Sequence, residues 1–196
     1  MNMDPLKRED LYSLEEYAEA RKEFRKKVLE HKKNRNVAVG RNATVYFEDR
    51  LTIQYQIQEM LRVERIYEKT GIEDELAAYN PLIPEGSNLK ATFMLEYEDV
   101  KERRLQLAKL IGIEDKVWVR VGDGERIFAI ADEDMEREDE DKTSSVHFVR
   151  FELSPDDVRK AKSGAEIAVG IEHENYRESV DPLPLAIRDA LVADLD

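Results

Sequence analysis

Hydrophobic residues recur at two different periods along this chain, and each change of period marks an element. Leu14, Tyr17, Ala18, Phe24 and Val28 follow helical spacing, which predicts a helix over 11–33, with Ser13 and Glu16 as its capping box. Ile53, Ile57, Met60, Leu61 and Tyr67 do the same over 50–69, where Gly71 is the expected stop. A short helix at 73–79 runs into Asn80-Pro81 and Pro84, which force an extended loop. Strand composition appears at 43–48 (ATVYFE), and 89–97 alternates Leu89, Ala91, Phe93, Leu95 and Tyr97 onto one face. A helix over 99–111 ends at Gly112. KVWVRV (116–121) and ERIFAI (125–130) flank Gly122-Asp123-Gly124, a hairpin signal because glycine accepts positive φ without steric cost. Residues 131–142 read as an acidic loop and 144–153 as a strand. Ser154-Pro155-Asp156 opens a helix, 165–172 is a strand, and Pro182 and Pro184 lead into a C-terminal helix.

Six strands and five or six helices predict an α+β fold. The expected sheet is mixed, mostly antiparallel and of about five or six strands. The βαβ rhythm in 89–121 and 144–171 allows some parallel neighbours. With 196 residues the chain fits one domain, divided into a helical part, about 1–85, and a sheet-rich part, about 86–196.

Composition narrows the chemistry. No cysteine is present, which excludes disulfides, thiolate catalysis and iron–sulfur clusters held by this chain's own thiolates. MNMDPLKRED has no apolar stretch behind its charges, and no apolar run approaches bilayer length. The expectation is a cytoplasmic chain that does not enter a membrane. A net charge of −13 argues against a nucleic-acid binder. The charge is uneven, however. Residues 21–41 hold nine Lys/Arg against Glu23 and Glu30, a local +7, so the remainder stands at −20. That stretch is either a solvated helix face or a docking strip for an anion or an acidic partner.

Several ionisable residues fall where the patterning expects hydrocarbon. At 100° per residue from Ile53, Glu64 lies at about +20°, inside the apolar stripe. From Leu14, Arg21 and Arg25 lie at about −20° and +20°. A carboxylate buried alone is costly, so these groups are expected to meet, as a structural Arg–Glu bridge between two helices or as a small-anion pocket. His147 shares parity with Val149, Phe151 and Leu153, and His173 extends the face of Ile167, Val169 and Ile171. Both are expected to point inward, either bonded to a carbonyl or carboxylate, or converging with Glu64 on a divalent metal such as iron, zinc or manganese. The acidic loop does not fit an EF-hand: Arg137 falls at the glycine position and Thr143 at the bidentate glutamate.

The strings EYAEARKEFR (16–25), TVYFEDRLTIQYQIQEMLRVER (44–65), ELAAYNPLIP (75–84), LKATFMLE (89–96) and KTSSVHFVRFEL (142–153), with the histidine of IEHENY (171–176), resemble the bacterial domain-of-unknown-function family 3501 (DUF3501) over nearly the whole chain. Asp49 departs from that pattern, where Asn is expected. The resemblance carries no assigned activity. It implies a redox or oxidative-stress setting beside rubrerythrin-like or iron–sulfur proteins. It also draws Arg21, Arg25, Glu59, Arg62, Glu64, Tyr79, Asn80, Glu96, His147 and His173 together as a candidate polar centre. The expected function is an accessory or binding protein in such a system. The alternative is a metal- or small-anion-binding enzyme built on that centre.

Overall fold

A computed structural model describes residues 3–131 and 142–196. The acidic-loop reading falls almost wholly outside them. The elements in chain order are α1 (Leu14–Lys32), β1 (Asn36–Ala38), β2 (Ala43–Phe47), α2 (Arg50–Glu64), α3 (Lys69–Tyr79), β3 (Asn88–Leu95), α4 (Val100–Lys109), β4 (Val117–Val121), β5 (Ile127–Phe128), β6 (Ile130–Ala131), β7 (Val146–Glu152), α5 (Pro155–Lys162), β8 (Ile167–His173), β9 (Tyr176–Val180) and α6 (Leu185–Val192).

The fold is α+β, and its strands divide between two sheets. One has the order β1-β2-β3-β7-β6, the other β5-β4-β8-β9. Every pairing between these strands is antiparallel. The βαβ rhythm creates no parallel neighbours because β3 and β4, like β7 and β8, belong to different sheets. The stretch 127–131 joins the sheets: β5 pairs with β4, β6 pairs with β7, and between them the Ala129 N–H donates to the Val117 carbonyl at 2.8 Å. Val45, Phe47, Leu89, Ala91, Phe93, Val149 and Phe151 of the first sheet share one core with Val117, Val119, Val121, Ile167, Val169 and Ile171 of the second.

A second apolar cluster holds the helical layer together. It comprises Leu6, Ile53, Ile57, Leu61, Leu76 and Ile83. This layer explains why β3 is buried on both faces. Its outward Lys90 donates to the Pro81 carbonyl at 2.8 Å, and its outward Thr92 to Glu48 at 2.8 Å.

Ser13 caps α1 and forms the expected capping box with Glu16. The second helix is shorter than its pattern predicts. It stops at Glu64, where Arg65 takes left-handed φ of 56°, and Gly71 lies inside the next helix. No helix among the described residues is long and apolar enough to cross a membrane.

Candidate functional site

Helices α1 and α2 run antiparallel, and a carboxylate bridges them as the patterning requires. The carboxylate is Glu59. Arg21 grips it bidentately, Nε to Oε1 at 2.8 Å and Nη2 to Oε2 at 2.9 Å. The buried Tyr17 hydroxyl donates at 2.7 Å and Arg62 at 3.2 Å. Glu64 and Arg25 do not join them and both are exposed.

Two geometric facts account for the difference. The buried face of α1 runs through Tyr17, Phe24 and Val28, centred at about −60° from Leu14, so Arg25 falls outside it. In α2 the last core residue is Leu61, and the helix ends before Glu64 can be covered. Tyr79 packs against the helical cluster, and Asn80 clamps Leu6 through its side-chain amide at 2.8 and 2.9 Å.

The Arg21 hydrogen bonds, opposed by burial and helped by Tyr17 and Arg62, hold the Glu59 carboxyl down to about 2, from an ordinary 4.5. Its contribution to stability is therefore complete above about 4.5 and fades as pH falls toward about 2. With solvent screening discounted, Glu59→Gln is expected to remove about 1–2 kcal/mol of acid sensitivity. Urea midpoints for both proteins at stepped pH measure this, and parallel curves would contradict it.

A more deeply buried charge centre lies where α1 ends, α2 begins and α6 closes over them. Arg35 is fully buried and binds Asp194 bidentately, Nη1 to Oδ2 at 2.7 Å and Nη2 to Oδ1 at 2.8 Å. Its Nε reaches Asp49 Oδ2 at 3.0 Å. His31 Nε2 is 2.5 Å from the same oxygen. Because one imidazole nitrogen cannot both donate to Asp49 and accept from Arg35, the His31 Nε2–H and the Arg35 Nε–H are both assigned as donors to the carboxylate.

Asp49 Oδ1 meanwhile caps α2 through the Thr52 N–H at 2.9 Å. Glu48, also buried, accepts from the Thr52 and Thr92 hydroxyls at 2.5 and 2.8 Å. Burial raises the Asp194 carboxyl above its ordinary value against the pull of Arg35. Burial would lower Arg35, but Asp194, Asp49 and Glu48 outweigh it. His31, in the middle of the basic segment 21–41, is thus half-buried and engaged.

Both late histidines point inward, as their parity predicts. His173 Nε2 donates to the Ile111 carbonyl at 3.1 Å, and its Nδ1 accepts from the Asn175 N–H at 3.2 Å, which occupies both ring nitrogens. His147 Nε2 lies 3.0 Å from the Ser144 carbonyl and from the Thr143 hydroxyl, and its ring stacks on Phe93. The two stand on different sheets, and Glu64 is at the exposed end of α2. The structure does not bring the three together. Among the described residues no cluster of three or more His, Asp or Glu side chains could hold a metal.

What reaches solvent with charge to offer is the outer face of α1. Lys22, Arg25, Lys26 and Lys27 are exposed, and none forms an ion pair among the described residues. Lys32 lies 6.0 Å from the centre of the Tyr55 ring. Lys33 pairs only with its helix neighbour Glu30. Sequence reasoning found this strip as a +7 segment, although two of its nine cations, Arg21 and Arg35, turn inward to carboxylates.

Comparison with known proteins agrees with the resemblance. A crystal structure described as a novel protein of unknown function from Burkholderia pseudomallei K96243 is 46% identical. The match covers 98% of this chain and 100% of that one, with a TM-score of 0.93. No curated protein matches the chain. The family model described as protein of unknown function (DUF3501) matches residues 5–195, and the chain belongs to that family.

Proposed function

We propose that the chain is an accessory binding protein that docks an acidic partner through the outer face of α1. The partner belongs to a redox or oxidative-stress system of the rubrerythrin or iron–sulfur kind. The observation that carries the docking reading is the row of unneutralised cations on that face, in a chain with 44 acidic residues available to pair with them. Most carboxylates of α1 lie on a different flank: Glu19, Glu23 and Glu30 fall at about +140° to +180° from Leu14 and Glu16 at about −160°, whereas Lys22, Arg25, Lys26, Lys32 and Lys33 fall between about 0° and +120°. Glu15 shares the cationic angle at about +100°, but it stands in the first turn, about 10 Å along the helix before Lys22. Such a strip steers encounter and fixes the register of a complementary surface. The redox setting rests on the family resemblance. The enzyme alternative gains no comparable support, since its arginine, glutamate and histidine arms do not converge.

Binding of the purified chain to a purified rubrerythrin-type or iron–sulfur partner tests the reading. The complex is expected to weaken about tenfold or more between about 50 and 200 mM salt. A Lys22→Glu, Arg25→Glu, Lys26→Glu triple variant should weaken it about tenfold or more at low salt. Binding indifferent to salt, or unchanged in the triple variant, would overturn it.

A further inference from the structure

The centre of the cationic face is not a cation. Leu29 is 45% exposed and sits at about +60° from Leu14, the middle of the strip. On a helix surface a residue's neighbours are those three and four positions away. For Leu29 these are Arg25, Lys26, Lys32 and Lys33, four cations. We infer that Leu29 is the apolar anchor of the docking face, and that the occupant is an acidic protein segment carrying one apolar side chain among its carboxylates. The inference rests on the docking reading above and adds to it what the partner must contain.

The chemistry of the ring selects that occupant. Charges on an exposed rim govern approach and register, whereas a small desolvated apolar contact at the centre slows dissociation. The lysine and arginine stems border Leu29 with methylenes while their charged ends reach outward. An acidic segment that seats an apolar side chain against Leu29 therefore brings its carboxylates to the surrounding ammonium and guanidinium groups. From Arg25 to Lys33 the ring spans about 12 Å of helix, the length of roughly two turns of a partner helix. A membrane surface fits less well. The apolar side of α1 is already covered: Tyr17 and Phe24 meet Glu59 and Tyr55 of α2, and Val28 is buried, which leaves one exposed leucine rather than a broad apolar face. The net charge of −13 also repels anionic lipid.

Two labelled peptides test this on the full chain. Both are glutamate-rich and differ only at the central position, Leu in one and Ala in the other. Fluorescence anisotropy is expected to show the Leu-centred peptide binding about tenfold tighter. Leu29→Ala should erase that ratio and leave the salt dependence of both peptides unchanged. Because Leu29 is exposed, this variant folds; a circular dichroism spectrum matching the parent verifies it. Equal binding of the two peptides, with salt dependence intact, would overturn the role of Leu29 and leave the docking reading standing. No salt-dependent binding of either peptide would overturn both. Leu29-dependent binding to phosphatidylserine vesicles in the absence of peptide binding would replace the protein partner with a lipid surface and so overturn the proposal.

Discussion

Arg35→Met is expected to cost about 3–5 kcal/mol of folding stability, the largest effect of any single substitution considered for this chain. The side chain of Arg35 is 1% exposed, and it faces Asp194 and Asp49, at 2% and 3%. Methionine fills much of the same volume, so packing loss is small and the penalty arises from stranded carboxylates. Asp194 loses two hydrogen bonds at once, and Asp49 keeps only His31 and its helix-capping contact. The sign of the pH dependence follows. Burial already raises Asp194, and removing Arg35 removes what opposes that rise, so the variant should recover stability as pH falls. A companion Arg35→Met, Asp194→Leu protein should regain part of the loss, because no uncompensated charge remains at that position. Urea denaturation of the three proteins decides the matter. A single-variant cost below about 1 kcal/mol would show that the carboxylates find other partners or solvent.

Gly170→Val should cost about 3 kcal/mol, at the upper end of overpacking penalties. Gly170 lies on the outer face of the second sheet, opposite Trp118 on one side and Ser179 on the other. A Cβ there would stand 2.6 Å from Trp118 Cε2, closer still to Cζ2, and 2.9 Å from Ser179 Cβ. The indole cannot easily yield, because the Arg126 guanidinium lies 4.6 Å from its ring centre and is itself fixed to Glu172. The requirement for glycine is one of space, since no positive φ is involved at this position. The chain has one tryptophan, so its emission reports the displacement directly. An unshifted spectrum with a cost under about 0.5 kcal/mol would mean the ring has room the geometry does not reveal.

Much of the fold is legible from periodicity, and the exceptions have identifiable causes. The Gly122-Asp123-Gly124 turn joins β4 to β5 as its glycines indicate, with Gly122 at φ 57°. Strand parity correctly turns His147 and His173 inward, because a period of two leaves no freedom of phase. Helical phase is less constrained. An error of about 60° in the centre of the α1 stripe is enough to draw in Arg25, and carrying α2 past Leu61 draws in Glu64. The bridge between the helices was thus foreseeable in kind, though Glu59 supplies it.

The Arg35 centre left a fainter trace. Its members come from a turn, a helix cap and the last residues of α6 and its exit, and no local period connects them. The one available sign was Asp49, three residues ahead of Thr52 at the start of an apolar helical run, which is a capping signature. The separation into two sheets was hidden for a related reason. The joint at Ala129 is an unbroken extended stretch, and only its pairing partners change.

Arg35 and Asp194 are separated by 159 positions. At about 5–20 residues per second of synthesis, the guanidinium emerges roughly 10–30 s before the carboxylate that neutralises it. Until then the junction between α1 and β1 carries a charge that water must solvate, and it cannot close. A helix made well before α6 is therefore locked only once α6 is present, and the moment of locking is set by the arrival of α6.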